Sequence, residues 1–237
     1  MTNDDIAAQP RRLYAIGDIH GRLDLLARAV DAIARDVAAR GPAALTVTVG
    51  DYIDRGPASR GVLDLLRQNP FATPYAALRG NHEEMFEAFL TDPAAGLHWA
   101  DNGGEETLAS YGVRLRGHAP ADFVQACEEL RSQLPAAHGE FLRALKPSLG
   151  HGDYFFCHAG VRPGVPLDRQ REEDLLWIRG AFLFSDADFG KIVVHGHTPA
   201  MAPEVKANRI GIDTGAYASG RLTCVALGEG EPRFLAV

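Results

Sequence analysis

The sequence predicts an α/β protein, and three observations carry that expectation. Short apolar runs rich in β-formers each end in glycine or a polar cluster. Between the early runs lie longer stretches with the periodicity of amphipathic helices, the alternation from which layered α/β folds are built. Residues 84–150 depart from the pattern, being rich in Glu, Ala and Leu and poor in β-runs.

In chain order, residues 13–16 are the first predicted strand and lead into Gly17, Asp18 and His20. The next segment places Leu25, Leu26, Ala29, Val30, Ile33 and Val37 on one stripe, with Asp24, Arg28, Asp31 and Arg35 elsewhere, a helix that packs on a sheet and carries no chemistry. Residues 45–49 lead into Gly50 and Asp51, and residues 75–78 into Gly80, Asn81 and His82. Residues 84–150 read as a helical cap inserted within a single domain spanning 1–237, with a helix over 123–134. Beyond it, residues 154–157 deliver His158, residues 192–194 deliver His195 and His197, and residues 210–212 deliver Asp213. Cys157 precedes His158 on its strand, so its side chain faces the other way, which predicts a buried, inert thiol. No repeat, low-complexity tract or flexible linker interrupts the pattern.

The 237 residues carry 24 Lys plus Arg against 31 Asp plus Glu, with 46% apolar side chains. That composition excludes disorder and collagen-like repeats. A domain of this length buries roughly 70–75% of the surface its unfolded chain exposes, enough for a core with a deep site in it. The net charge of −7 makes non-specific binding to nucleic acid or acidic membranes unfavourable, so any phosphate must be held by a local positive site. Cys127, Cys157 and Cys224 are odd in number and form no C-x-x-C pair, which fits a reducing compartment. Residues 1–10 contain Asp4 and Asp5 and no long apolar run, and no stretch approaches the ~18 apolar residues of a membrane helix. A cytoplasmic protein is expected.

In open α/β sheets, ligands bind beyond the carboxyl ends of the strands, where loops converge on a rigid base. Each polar residue there has an ordinary reading alone: Asp18 as a helix cap, His158 as a core histidine, Asn81 as a turn residue. Five strand ends bearing such residues together point at one site. Asp18, His20, Asp51, Asn81, His158 and His197 supply oxygen and nitrogen without thiolate, which suits Mn, Fe or Zn. Six donors exceed the needs of one tetrahedral ion. If Asp51 bridges, they divide into two adjacent sets, a two-metal hydrolytic site. Two divalent cations and two carboxylates leave a charge of about +2, which attracts phosphate and acidifies water. Arg55 and Arg179 are candidates to grip phosphoryl oxygens bidentately. Asp54 and His82 form a candidate acid pair, the carboxylate fixing the imidazole tautomer and raising its pKa. Trp99 with Asn102-Gly103-Gly104 reads either as a substrate rim or as a turn beside a buried tryptophan. His82-Glu83-Glu84-Met85-Phe86 lacks the second histidine of a zincin helix, and no phosphate-binding G-x-x-x-x-G-K-[ST] loop is present.

Gly17-Asp18-Ile19-His20-Gly21, Gly50-Asp51-Tyr52-Ile53-Asp54-Arg55-Gly56 and Gly80-Asn81-His82-Glu83 resemble the three signature blocks of the phosphoprotein phosphatases, within the calcineurin-like metallophosphoesterases. His158-Ala159-Gly160 and Gly196-His197-Thr198-Pro199 resemble the two later blocks, in the same order. Leu176-Trp177-Ile178-Arg179 and Ile212-Asp213-Thr214-Gly215 extend the similarity toward the small bacterial and bacteriophage serine/threonine phosphatases. The resemblance implies a sandwich of two β-sheets flanked by helices, with a dinuclear centre that commonly holds manganese. By position it places Asp18, His20 and Asp51 on one metal, and Asp51, Asn81, His158 and His197 on the other. Arg55 and Arg179, with Asn81, would hold the phosphate, His82 would be the acid, and Asp54 would stand behind it. Pro199 occupies the place of a further histidine in wider metallophosphoesterases, favouring the phosphoprotein-phosphatase branch. His195 stands where eukaryotic members have arginine and is an open position.

The reading is a metal-dependent phosphomonoesterase that uses a metal-bridging hydroxide on phosphoserine or phosphothreonine in proteins. One alternative is hydrolysis of dinucleoside polyphosphates or nucleotide-capped RNA. The symmetrical diadenosine tetraphosphatases share most blocks, but typically have Asp where Glu83 stands, lack an acid at the place of Asp54, and have longer insertions. The other alternative is a metal-binding regulatory module without catalysis.

Overall fold

The computed structural model describes residues 11–237; the sequence reading of residues 1–10 lies outside the described residues. In chain order the strands are β1 (Arg12–Ile16), β2 (Ala44–Thr48), β3 (Tyr75–Ala77), β4 (Ser148–His151), β5 (Tyr154–Cys157), β6 (Ile192–His195), β7 (Glu204–Val205), β8 (Arg209–Gly211), β9 (Cys224–Leu227) and β10 (Arg233–Leu235). They form two five-stranded sheets, ordered β10-β9-β1-β2-β3 and β4-β5-β6-β8-β7. Strands β1, β2 and β3 run parallel in the first sheet, as do β5, β6 and β8 in the second. The remaining strands pair antiparallel.

Strand alternation sorts the side chains into layers. Leu13, Ala15, Val47 and Val49 of the first sheet meet Tyr154, Phe156, Val194 and Ile210 of the second in one buried layer. Tyr14 and Ile16 point the other way, toward α1 (Leu23–Arg40), which buries Leu25, Leu26, Ala29, Ala32 and Ile33, and toward α2 (Ser59–Leu66). On the far face of the second sheet, Phe155, Cys157 and Val193 pack with Leu175 and Phe182. Cys157 is fully buried in that far-face layer, away from the polar strand ends as expected, and burial pushes its thiol pKa up.

Between β3 and β4 the chain is helical: α3 (Asn81–Thr91), α4 (Gly96–Trp99), a wide turn over Ala100–Gly104, α5 (Glu105–Ser110), α6 (Pro120–Gln133) and α7 (Ala136–Arg143). Phe86, Phe89, Trp99, Phe123 and Leu130 join this segment to the core of the first sheet. Residues 148–150 belong to β4 and not to the helical stretch; with Leu149 their only large apolar residue, that edge strand shows no β-run. Helix α6 begins at Pro120, earlier than the apolar pattern indicates, because proline fits the first turn and Asp122 Oδ2 accepts the Ala119 N–H at 3.0 Å. No helix among the described residues is long and apolar enough to cross a membrane.

Phe156, fully buried between the sheets, is the test of this layer. Phe156→Ala should cost about 3–5 kcal/mol in urea unfolding, from lost burial and the cavity left behind. A loss below about 1 kcal/mol would mean that the layer collapses to fill the gap.

Candidate active site

The strand ends bring Asp18, His20, Asp51, Asn81, His158 and His197 into one cluster, none more than 5% exposed. His158 Nε2 lies 2.8 Å from Asn81 Oδ1 and 3.1 Å from His197 Nδ1, and the latter two are 3.0 Å apart. Asp51 extends the cluster on both sides, with Oδ1 3.4 Å from His158 Nε2 and Oδ2 3.4 Å from His20 Nε2. His158 Nδ1 is 3.0 Å from the Val49 carbonyl and His20 Nδ1 2.8 Å from that of Ile53. Each carbonyl places the ring hydrogen on Nδ1, so both Nε2 lone pairs face the cluster.

Lone pairs converging at these separations repel unless a cation lies among them. With metal–ligand bonds of about 2.1 Å, neighbouring donors stand about 3.0–3.4 Å apart, the spacing found here. Two groups able to hold a metal share Asp51: His20 with His82, and Asp18 with His158. Asp18 Oδ1 has no hydrogen-bond partner. Burial, then the nearby Asp213 and Asp51 charges, drive the Asp18 pKa well up; burial also raises that of Asp213. Burial opposes ionisation of Asp51 too, but His158, His82 and His20 outweigh it and hold its carboxyl below the usual range. Burial lowers the pKa of His158, and those of His20 to about 3 and His197 to about 2, which leaves neutral imidazoles suited to metal ligation. A buried excess of carboxylate beside neutral imidazoles fits divalent cations with mixed oxygen and nitrogen ligands.

His82 and Asp54 meet as expected, with Nδ1 2.7 Å from Asp54 Oδ2. The other ring nitrogen of His82 lies 3.8 Å from Asp51 Oδ2, facing the cluster. Burial opposes its protonation, but Asp51 and the Asp54 hydrogen bond hold its pKa above the ordinary value. Asp54 is itself fully buried and receives Trp99 Nε1–H on Oδ2 at 2.9 Å and the Thr107 hydroxyl on Oδ1 at 2.6 Å. The sequence reading missed Thr107 and left Trp99 between rim and turn. Trp99 is 1% exposed and stacks on Phe89 at 4.8 Å, so it is no rim. The Asn102-Gly103-Gly104 turn instead supports the neighbouring loop, Gly103 accepting the Arg55 N–H at 3.0 Å.

Glu83 was also missed as a site residue, appearing only in motif comparisons. Its buried carboxylate accepts the N–H groups of Asp51 at 2.9 Å, Tyr52 at 2.8 Å and Gly80 at 2.9 Å. Burial, then the Asp51 charge, push its pKa up to about 7, while the backbone donors pull the other way. Gly80 permits the close approach: a Cβ there would overlap Asp51 Oδ1.

Arg55 is half-buried at the mouth, its NH1 3.2 Å from His20 Nε2 and its guanidinium carbon 4.9 Å from the centre of the Tyr217 ring. Tyr217 belongs to α10 (Ala216–Ser219), reached after α8 (Glu172–Trp177) and α9 (Gly180–Leu183). Arg179 is exposed just before α9, and its charge helps to lower the His158 and His197 pKa values. Arg162 is engaged by Asp174 through both Nε and NH2 and is not free to take a phosphate. His195 lies outside the cluster; it is buried edge-on against Phe182, and burial lowers its pKa to about 4.

A buried carboxylate–imidazole centre at the ends of two facing sheets, with arginines at its mouth, defines a metal-dependent phosphoester hydrolase. The model of the calcineurin-like phosphoesterase family matches residues 11–220, and the chain belongs to that family. A serine/threonine-protein phosphatase 1 of Salmonella typhimurium is 32% identical over 221 residues, 90% of each chain. A bis(5′-nucleosyl)-tetraphosphatase of Anoxybacillus flavithermus is 24% identical over 245 residues, covering 91% of this chain and 90% of that one. That relative is named asymmetrical, where the sequence reading compared symmetrical enzymes. The crystal structure of a proposed diadenosine tetraphosphatase superposes with a TM-score of 0.65 at 20% identity, covering 96% of this chain and 94% of that one. It shows the shared fold.

The Asp54 anchorage gives a direct stability test. Thr107→Val, which deletes a hydroxyl bound to a buried carboxylate, should cost roughly 1.5–3 kcal/mol in denaturant unfolding. Thr107→Ser keeps the donor and should lose clearly less. A Thr107→Val loss no larger than that of Thr107→Ser would mean that the hydroxyl adds nothing beyond the fit of the side chain.

Proposed function

We propose that the chain is a protein serine/threonine phosphatase that transfers the phosphoryl group of a serine or threonine monoester to water. The observation that carries this reading is the His82–Asp54 pair, anchored by Trp99 and Thr107 with its free nitrogen toward the cluster. A serine alkoxide is a strong base and leaves only as it gains a proton, whereas a nucleotide leaves as a stable phosphate anion. A deeply held acid therefore serves a monoester of an alcohol best. The relatives named serine/threonine-protein phosphatase support the same choice.

In this proposal Asp18, His20 and Asp51 hold one divalent ion, and Asp51, Asn81, His158 and His197 hold a second. Manganese is the proposed metal; iron and zinc fit the same donors. When bound, such ions supply positive charge for the phosphate and lower the pKa of water. Arg55 and Arg179, with Asn81, hold and orient the phosphoryl oxygens. Tyr217 lies against Arg55 and limits its swing. His82 donates a proton from Nε2 to the departing oxygen, and Asp54 keeps the other ring hydrogen on Nδ1. The chain acts as one domain, with the helical part of residues 84–147 as its cap. The partner is a phosphorylated protein or small phosphoester, with no stable nucleic-acid complex and no membrane. The three buried free cysteines suit the reducing cytoplasm.

The relatives named bis(5′-nucleosyl)-tetraphosphatases favour a second reading, cleavage of dinucleoside polyphosphates or capped RNA. A non-catalytic module gains no such support from the named relatives.

Manganese-loaded enzyme should show a higher kcat/KM on a phosphoserine peptide than on diadenosine tetraphosphate; the reverse order favours the second reading. His82→Ala should depress turnover of the peptide by ~10²–10⁴ and that of p-nitrophenyl phosphate far less, with metal content unchanged. Equal losses accompanied by metal loss would make His82 a ligand or structural residue.

A further inference from the structure

The two arginines at the mouth of the site are held in different ways. Arg55 has NH1 3.2 Å from His20 Nε2 and its guanidinium against the Tyr217 ring. The Arg179 side chain is exposed and makes no hydrogen bond, ion pair or ring contact among the described residues. A long side chain left free in this way grips a phosphoryl oxygen well only if its backbone stands at a fixed place. The neighbouring turns set that place. The Asp174 carbonyl accepts the Ile178 N–H at 3.1 Å, closing α8, and the Arg179 carbonyl accepts the N–H groups of Phe182 and Leu183, both at 2.9 Å, opening α9.

Helix α8 has six residues, too few to hold a position by its own hydrogen bonds, so its ties to the rest of the molecule place Arg179. Two of them lead to the segment after β5: the Leu175 carbonyl accepts the Ala159 N–H at 2.7 Å, next to His158, and Asp174 engages Arg162. The third leads to the first turn of α3. Trp177 Nε1–H donates to Glu84 Oε2 at 2.5 Å, the one hydrogen bond between α8 and α3 among the described residues. An N–H on a carboxylate is charge-assisted and stronger than a neutral pair. Arg79 and Glu172 span the same two regions, but at 4.0 Å and with Glu172 exposed that pair adds little.

A carboxylate in the first turn of α3 is favoured by the helix N-terminus without any partner. That preference does not account for the indole that occupies Glu84 Oε2 two residues before Arg179. The same turn begins with Asn81 and His82, and the Trp177 ring stands edge-on to His197, with centres 6.2 Å apart and 81° between the planes. Half-buried, Trp177 thus reaches from a histidine of the cluster to the helix that carries Asn81 and His82.

We propose that Glu84 and Trp177 are positioning residues: their hydrogen bond fixes the end of α8 against the first turn of α3 and so aims Arg179 at the phosphate that Asn81 helps to hold. This role rests on the phosphate grip given to Arg179 and holds for a protein or a nucleotide ester alike.

The test measures binding of inorganic phosphate to the manganese-loaded enzyme by calorimetry, with KM for p-nitrophenyl phosphate alongside. The variants are Glu84→Ala, Glu84→Gln, Trp177→Phe, the Glu84→Ala/Trp177→Phe double variant, and Glu84→Ala and Trp177→Phe each joined to Arg179→Ala. Glu84→Ala and Trp177→Phe should each weaken phosphate binding about tenfold, the scale of one misaimed charged contact, with KM rising in parallel and metal content unchanged. The double variant should lose no more than either alone, because each substitution breaks the same bond. Glu84→Gln keeps an acceptor oxygen and should stay within about threefold of wild type. Joined to Arg179→Ala, neither Glu84→Ala nor Trp177→Phe should change phosphate binding by more than about twofold. Unchanged affinity in Glu84→Ala, losses that add in the double variant or persist beside Arg179→Ala, or losses accompanied by metal loss would overturn the positioning role and leave the pair as a support of the fold or of the cluster. Wild-type phosphate binding in Arg179→Ala itself would remove Arg179 from the proposed site, and the positioning role with it.

Discussion

The carboxylate of Glu83 holds the ends of two strands together, and the rest of the centre depends on it. It accepts N–H groups from Asp51 and Tyr52 after β2 and from Gly80 before α3, so the loop carrying Asp51 cannot move without the one carrying Asn81 and His82. The Asp51 carbonyl in turn accepts the N–H groups of Ile19 and His20 after β1, and Asp18 Oδ2 accepts the His197 N–H after β6. Four strand ends are thereby linked through hydrogen bonds donated by backbone N–H groups. Side chains that would repel one another as free groups are brought within bonding distance of a common point.

That arrangement is strained, and the strain is localised. His20, Asp51, Asp54, Arg55 and His197 all adopt positive φ, and Asn69 is the one other described non-glycine residue that does. Such backbone costs of order 1–3 kcal/mol per residue and persists only where the surroundings over-determine it. The helical segment supplies part of that determination. Gly103 bonds the Arg55 N–H, Thr107 receives the Asp54 N–H, and Trp99 and Thr107 hold the Asp54 carboxylate. It therefore fixes the Asp54–His82 pair and Arg55 as well as covering the core.

What was legible in the sequence was local. Asp18, His20, Asp51, Asn81, His158 and His197 each stand just after an apolar run, so strand and donor could be read together as α/β, and the two-sheet arrangement came only with the family resemblance. Strands β7 and β10 lie at sheet edges and are only two and three residues long, and the buried β9 has no chemistry at its end to draw attention. The supports of the site were hidden because they come from far along the chain. Trp99 and Thr107 are 45 and 53 residues from Asp54, and no periodicity or motif records that pairing. The engagement of Arg162 by Asp174 is likewise a tertiary fact.

The central claim is that the strand ends build one two-cation centre through Asp51, whose two carboxylate oxygens face different histidines. Metal content per chain, measured by elemental analysis on manganese-loaded wild type and Asp51→Asn, tests it most directly. The account predicts about two ions in the wild type and clearly fewer in the variant, because one side chain serves both positions. A fully active wild type with a single ion, or an Asp51→Asn protein that keeps two, would contradict it.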